Sequence, residues 1–389
     1  MQARYTYIMN MVIGIDIRCL TDMHRTGVGT YTVEFLNAIF SRDKENQYYL
    51  FYNSYKDVSH AISIWKQDNV HYVATKLPNK LLNMLLFFGF LKLDSLVIAD
   101  YLKNKNLKIK IDIWFSPNLN FTSLTPQVTH IQTIHDLSFE ILPECFTWKQ
   151  RLWHWFLNPK RQCERAHTIL TPSQNTKMDI TEIYTIRDDK INVWCPWVSS
   201  GVVELDFDTV KNKYGLKDTY ILFLGTLEPR KNIESAIGAY KKSGLKAMGY
   251  EFIVAGALGW KYKPILKAID NTPGVHYLGY VSYEEKVLLY RHAKLFVYPS
   301  LYEGFGLPVL EAMDNGVPVI TSNRSSLMEV VGDAAYTVNP YNVAHIAYAM
   351  RVVVGDNVLC RRMSEAGKKR VTQYNDHDLF GRLLSIFNI

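Results

Sequence analysis

Short runs rich in β-branched and aromatic residues recur along this chain, at residues 12–17, 48–53, 111–116, 129–136, 166–173, 191–195, 220–226, 251–256, 275–281, 295–300, 318–322 and 335–339, and helical patterns separate most of them. Strands that alternate with helices pair in parallel through right-handed crossovers, so the chain is predicted to be α/β. The runs fall into two series, over about residues 11–196 and 220–365, with a joint, CPWVSSGVVELDFDTVKNKYG, between them. This pattern predicts two doubly wound, Rossmann-like domains, residues 1–196 and residues 197–370, facing each other across a cleft. A last helix over 371–389, striped by Leu379, Phe380, Leu383, Leu384 and Phe387, would pack back on the first domain. Sheets of this kind bind ligands beyond the carboxyl ends of their strands, so chemistry is sought in the loops that follow the strands.

Composition narrows the class. With 48% hydrophobic and 21% charged residues the chain is neither disordered nor of low complexity. Its longest apolar run, residues 81–91, is well short of the roughly 18 residues of a spanning helix. The apolar N-terminal run stops at Asp16 with no cleavage-type sequence after it, and reads as a first strand rather than a signal peptide. Cys19, Cys145, Cys163, Cys195 and Cys360 are odd in number and scattered, which points to free thiols in a reducing, cytoplasmic compartment. A net charge of +7 suits anionic partners. Without a helix-turn-helix, zinc finger or RNP-like motif, nucleic acid is not expected among them.

Two strand-to-helix loops carry the candidate chemistry. In YILFLGTLEPRKN a buried strand ends at Gly225, and Arg230 and Lys231 follow in the loop. A guanidinium fork beside an ammonium suits a phosphate. In LFVYPSLYEGFGLPVLEAMDNG, the strand is followed by Glu303, Gly304, Phe305 and Gly306, then by a helix that starts near Leu307 with Pro308 in its first turn. The two glycines would let backbone amides approach a ligand beside a helix N-terminus. Glu303 and Glu311 have seven residues between them, a spacing that can aim both carboxylates into one cleft, although Glu311 could equally offset the helix dipole.

These blocks resemble the E-x7-E motif and donor-phosphate loop of the retaining glycosyltransferases of family 4, which have the GT-B fold. LGYVS, GVPVITS and EVVGDAA follow in the order that family has them, and the resemblance is densest over residues 190–340. It implies a transferase that moves a sugar from a nucleotide diphosphate, held by the second domain, to an acceptor hydroxyl held by the first. Arg230, Lys231 and the amides of Gly304–Gly306 would stabilise the leaving diphosphate in place of a metal. Glu303 would hold the donor sugar and Glu311 the ribose, with Gly225, Phe305 and Leu307 lining the same site. Retention is attributed in this family to front-face attack, so no protein nucleophile is named. Gly27 and Gly29, which read alone as a turn or a weak phosphate loop, would touch the donor diphosphate from across the cleft. His135, read alone as a histidine packed at a strand end, would lie by the reacting sugar, binding its hydroxyls or the acceptor. His130 alternates to the opposite face and is not paired with it. Asp206-Phe207-Asp208 is a D-x-D, but in the interdomain joint Asp208 reads as a helix N-cap. No metal and no cofactor beyond the nucleotide-sugar co-substrate is expected.

Three departures from the family pattern stand out: Thr226 where many relatives carry Arg, the CPWVSSG joint, and Asn375 at a late position often held by Trp. The strongest resemblance within the family is to bacterial mannosyltransferases of O-antigen and capsule pathways, which implies GDP-mannose as donor and a polyprenyl-diphosphate-linked oligosaccharide as acceptor. Residues 76–110 hold seven Lys beside the 81–91 apolar run, and residues 147–165 hold five Lys or Arg among Trp148, Trp153, Trp155 and Phe156. Each segment reads either as a surface helix on anionic lipid, at the inner face of the membrane, or as a core helix with a charged rim. Other readings that share the fold are a nucleotide-sugar epimerase, a glycan phosphorylase, and a non-catalytic nucleotide-sugar-binding protein.

Overall fold

The computed structural model describes residues 10–21, 27–62, 64–105, 109–196 and 203–374. The expected helix over 371–389 lies outside them apart from its first four residues, as does Asn375. The first sheet consists of β1 (Val12–Asp16), β2 (Gln47–Asn53), β3 (Val70–Thr75), β4 (Ile113–Ser116), β5 (Thr129–Thr133), β6 (Thr168–Thr171) and β7 (Ile191–Val193). Its strand order is β3-β2-β1-β4-β5-β6-β7. The second consists of β8 (Tyr220–Leu224), β9 (Glu251–Ala255), β10 (Val275–Tyr277), β11 (Leu295–Tyr298), β12 (Val319–Ser322) and β13 (Tyr336–Val338), in the order β10-β9-β8-β11-β12-β13. Every pairing is parallel. Strand order therefore reverses between β1 and β4 in one sheet and between β8 and β11 in the other. A crevice opens at such a reversal because neighbouring loops run to opposite faces of the sheet.

The central strands are buried along their whole length, as in β8 and β11. Helices cover both faces of a parallel sheet, which is why these strands read as unbroken apolar runs. β3 was not anticipated. It is an edge strand in which only Val70 and Val73 are buried, and the half-exposed His71 and Tyr72 between them break its apolar pattern.

The joint packs with the second core through Val210 and Leu216. Its D-x-D works as a cap, but two residues earlier than expected: Asp206 is the N-cap of the helix Phe207–Tyr214 and accepts a hydrogen bond from the Asp208 amide at 3.1 Å. All five cysteines are free. Among the described residues no single helix is long and apolar enough to cross a membrane.

The two domains touch. Ser173 Oγ donates to the Gly304 carbonyl at 2.7 Å, and Thr176 Oγ1 does so at 3.2 Å. The carboxylate of Glu329 accepts from the amides of Gln174 and Asn175, at 2.9 and 3.1 Å. Those amides open the helix Gln174–Tyr184, so an anion from one domain sits on the positive end of a helix from the other. A small apolar cluster of Leu142, Cys145, Phe146 and Tyr302, with Trp260 against it, closes the same seam.

Candidate active site

The two loops singled out in the sequence meet at the carboxyl ends of β8 and β11. Pro229–Lys231 forms a single 3-10 turn, and Asn232 ends it in a left-handed conformation. The Asn232 amide side chain donates to the carbonyls of Pro299 and Pro340, which ties the loop after β8 to those after β11 and β13. The Leu301 amide donates to the Arg230 carbonyl at 2.9 Å.

That scaffold fixes a charged cluster. Arg230 Nη1 donates to Glu303 Oε2 at 2.8 Å, and Nη2 donates to Glu228 Oε1 at 2.7 Å. Lys231 Nζ donates to Glu303 Oε1 and to the Tyr298 hydroxyl, both at 2.7 Å. Asp136, from the first domain, approaches Arg230 to 4.0 Å. Side chains of Arg230, Lys231 and Glu303 are 12, 11 and 8% exposed. Burial pushes the Glu303 carboxyl up, but Arg230 and Lys231 outweigh it and hold the group down at about 2. Burial works against the Arg230 charge, and Glu303, Glu228 and Asp136 restore it, so the guanidinium stays protonated. Arg230 Nε is buried with no partner among the described residues, a donor still to be matched.

Gly304 and Gly306 are explained by space. A Cβ at Gly304 would stand 1.9 Å from the His135 carbonyl of the first domain. Gly306 has φ +116°, and a Cβ there would meet Leu327 at 2.7 Å. Gly306 caps the helix Leu307–Asp314, with Pro308 in its first turn as expected. Phe305 turns its ring into the second core, edge-on to Tyr374 at 5.5 Å, and Leu307 packs against that core, so both present backbone rather than side chain to the loop. Gly225 follows β8, and its amide donates to Ala255 O at 3.0 Å.

Glu311 is placed differently from Glu303. It pairs with Lys286 and accepts from the Tyr290 hydroxyl at 3.3 Å, both on the helix Tyr283–His292. The seven-residue spacing thus gives two carboxylates with separate cationic partners.

On the first-domain side, His135 is half-buried and its Nε2–H donates to the Pro117 carbonyl at 2.8 Å. Burial holds its pKa below the usual value, so the ring is neutral and Nδ1 is an acceptor. Its ring meets that of Tyr31 edge-on at 4.7 Å. Tyr31 belongs to the helix Gly27–Arg42. Gly27 and Gly29 therefore lie in the first turn of that helix, not in a loop ahead of it as expected, and a Cβ at Gly27 would meet nothing within 4 Å. His130 goes elsewhere: its Nε2 lies 3.0 Å from Ser116 Oγ. Among the described residues no three His, Cys, Asp or Glu are grouped as metal ligands.

Sequence reasoning missed Glu228, Tyr298 and Asp136 as members of the cluster. It also missed Ser173, Thr176 and Glu329, which hold the seam beside it. Glu228 lies two residues from Arg230 and could have been found by asking what neutralises two adjacent buried cations.

Comparison with known proteins bears on the fold and the family. Residues 206–370 match the family model described as glycosyl transferases group 1. The O-antigen chain mannosyltransferase B of Escherichia coli is 31% identical over 345 residues, covering 84% of this chain and 87% of that protein. Among solved structures, sucrose-phosphate synthase from Thermosynechococcus elongatus superimposes with a TM-score of 0.73 at 15% identity, over 97% of this chain and 98% of that one. Anabaena HepE, solved with UDP and glucose, gives 0.69 at 15% identity over 97 and 100%. The fold is that of the GT-B glycosyltransferases, and with its charged loop at the strand-order reversal of the second sheet the chain belongs to the group 1 glycosyl transferases.

Proposed function

We propose that this glycosyltransferase moves mannose from GDP-mannose, with retention and without a metal, to a polyprenyl-diphosphate-linked oligosaccharide of O-antigen or capsule assembly. The observation that carries the reading is the clamp of Glu303 between Arg230 and Lys231 at the mouth of the interdomain cleft. The similarity to an O-antigen mannosyltransferase supports the choice of sugar and pathway.

The chemistry follows from the donors left over. The second N–H of Arg230 Nη2 and the third N–H of Lys231 are the donors offered to the diphosphate, and the Gly304–Gly306 backbone with the N-terminus of Leu307–Asp314 adds a positive dipole. Glu303 gives one oxygen to each cation and keeps lone pairs for the hydroxyls of the donor sugar. Glu228 holds the guanidinium in place, so the charge that develops on the leaving diphosphate meets groups that need no reorganisation. Glu311, seated on Lys286 and Tyr290, is left to the ribose. His135, neutral, offers Nδ1 to the acceptor or to a sugar hydroxyl. Closure of the seam keeps water from the sugar.

The test is transfer itself. GDP-mannose and a polyprenyl-diphosphate trisaccharide are incubated with the protein in EDTA, and the anomeric configuration of the new linkage is read by NMR. An α-mannoside is expected. An inverted product, or transfer that requires added divalent metal, contradicts the mechanism.

A further inference from the structure

The two aromatic, basic segments of the first domain are remote in sequence, and the structure joins them into one face. The helix Asn79–Phe87 buries only Leu82 and Leu86, and the helix Trp148–Leu157 buries only Leu157. They meet through Phe87 and Phe156, with ring centroids 6.0 Å apart, and through Phe121, which touches Phe87 at 6.1 Å and Trp153 at 4.8 Å. From this base Phe88, Phe90, Trp148 and Trp155 stand out, 62 to 76% exposed. Their presentation is built into the backbone. Gly89, at φ +75°, ends the first helix; its amide donates to Leu86 O and that of Phe90 to Leu85 O, the paired bonds of a Schellman turn. Phe88 and Phe90 are thereby held outward at a capped helix end rather than on a loose loop.

Charge says what covers this face. A groove of about 1000 Å³ opens between the two segments, and Arg151, Lys160, Arg161 and Arg165 line it. None of the four is in an ion pair among the described residues. Glu140, also in the lining, accepts from the Tyr184 hydroxyl at 2.8 Å. Projecting aromatics around unpaired cations match a bilayer interface, where rings enter the headgroup layer and cations meet lipid phosphates. The inner wall of the groove includes Phe139 and Pro143, from the stretch that packs on Tyr302 of the second domain. We propose that this face docks the enzyme on an anionic lipid bilayer, with lipid phosphates seated on the four cations of the groove. The docked enzyme would hold its first-domain side of the cleft next to the membrane. The proposal concerns binding, and stands or falls separately from the choice of donor sugar.

The experiment is co-sedimentation of the full chain with vesicles of phosphatidylglycerol and phosphatidylcholine in equal parts, against vesicles of phosphatidylcholine alone. Preferential binding to the anionic vesicles, weakening as salt is raised, is expected. Two variants separate the components: Phe88→Ser with Phe90→Ser and Trp155→Ser, and Lys160→Glu with Arg161→Glu. Each should lower partition by at least about tenfold, while nucleotide release from a soluble donor stays as in the parent. Equal binding to both vesicle types, no binding to either, or variants that bind like the parent would overturn the proposal. So would sedimentation velocity showing that the same variants split a dimer, which would give the face to a second copy of the chain.

Discussion

Gly304→Ala is the substitution whose effect the geometry specifies best. The new Cβ would lie 1.9 Å from the His135 carbonyl carbon's oxygen and 2.8 Å from Asp136 Cβ. The first of these is backbone, so no side-chain rotation relieves it. Restoring an ordinary carbon–oxygen contact of about 3.3 Å needs the domains to part by roughly 1.4 Å at this point. The bonds from Ser173 and Thr176 to the Gly304 carbonyl would lengthen with it. Misplacement by about 1 Å is worth on the order of a hundredfold in rate. A fall in kcat/KM of about that size is expected, measured by nucleotide release coupled to transfer. Each domain keeps its own core, so the melting temperature should change little. Activity within threefold of the parent, with an intact fold, would refute the idea that catalysis uses the seam closed on Gly304.

Four further outcomes follow from the same contacts. Arg230→Ala strands Glu228 and Glu303 in a buried site and is expected to destabilise by about 3–5 kcal/mol in urea unfolding, with part recovered when Glu303→Ala is added. Because the folded-state pKa of Glu303 is depressed from 4.5 to about 2, its stabilisation is present above pH 4.5 and is lost as pH falls toward 2; the gap in stability between the parent and Glu303→Gln should narrow across that window, measured by acid titration of unfolding. Glu329→Ala removes the acceptor of two helix N-terminal amides and should weaken closure by about 1–3 kcal/mol, seen as a larger radius of gyration in X-ray scattering and a lower kcat/KM. Asp206→Ala should cost about 1 kcal/mol as a lost cap, with activity unchanged whether or not EDTA is present; activity lost with the substitution and recovered by metal would return the D-x-D to a catalytic role.

The parts of this molecule that were legible in the sequence are those governed by local rules. Buried parallel strands read as apolar runs, and Gly306 with Pro308 announced the start of Leu307–Asp314. Arg230, Lys231 and Glu303 could be marked because each follows a strand. What brings them together could not be read, since Lys231 and Glu303 are 72 residues apart and their spacing carries no periodic signal. The same holds for Ser173 and Gly304, 131 residues apart and on different domains. Local rules also misled where two residues compete for one role. Asp206 and Asp208 are both good caps, and the helix takes the earlier one. Gly27 and Gly29 suggested a loop, yet Gly is tolerated in a first helical turn, where the backbone amides have no helical partner to lose. The segments at 76–110 and 147–165 are far apart in sequence, so their sharing of one face through Phe87 and Phe156 could not be read from it either.

The most direct test of the account is a donor screen in EDTA. The protein is incubated with GDP-, UDP-, ADP- and dTDP-sugars, and nucleotide release and thermal shift are followed together. Release and stabilisation with GDP-mannose are expected, and both should be lost in Glu303→Ala and Arg230→Ala variants that remain folded. Release that survives both substitutions, or no response to any of the donors, would contradict the assignment of the Arg230–Lys231–Glu303 cluster as the donor site.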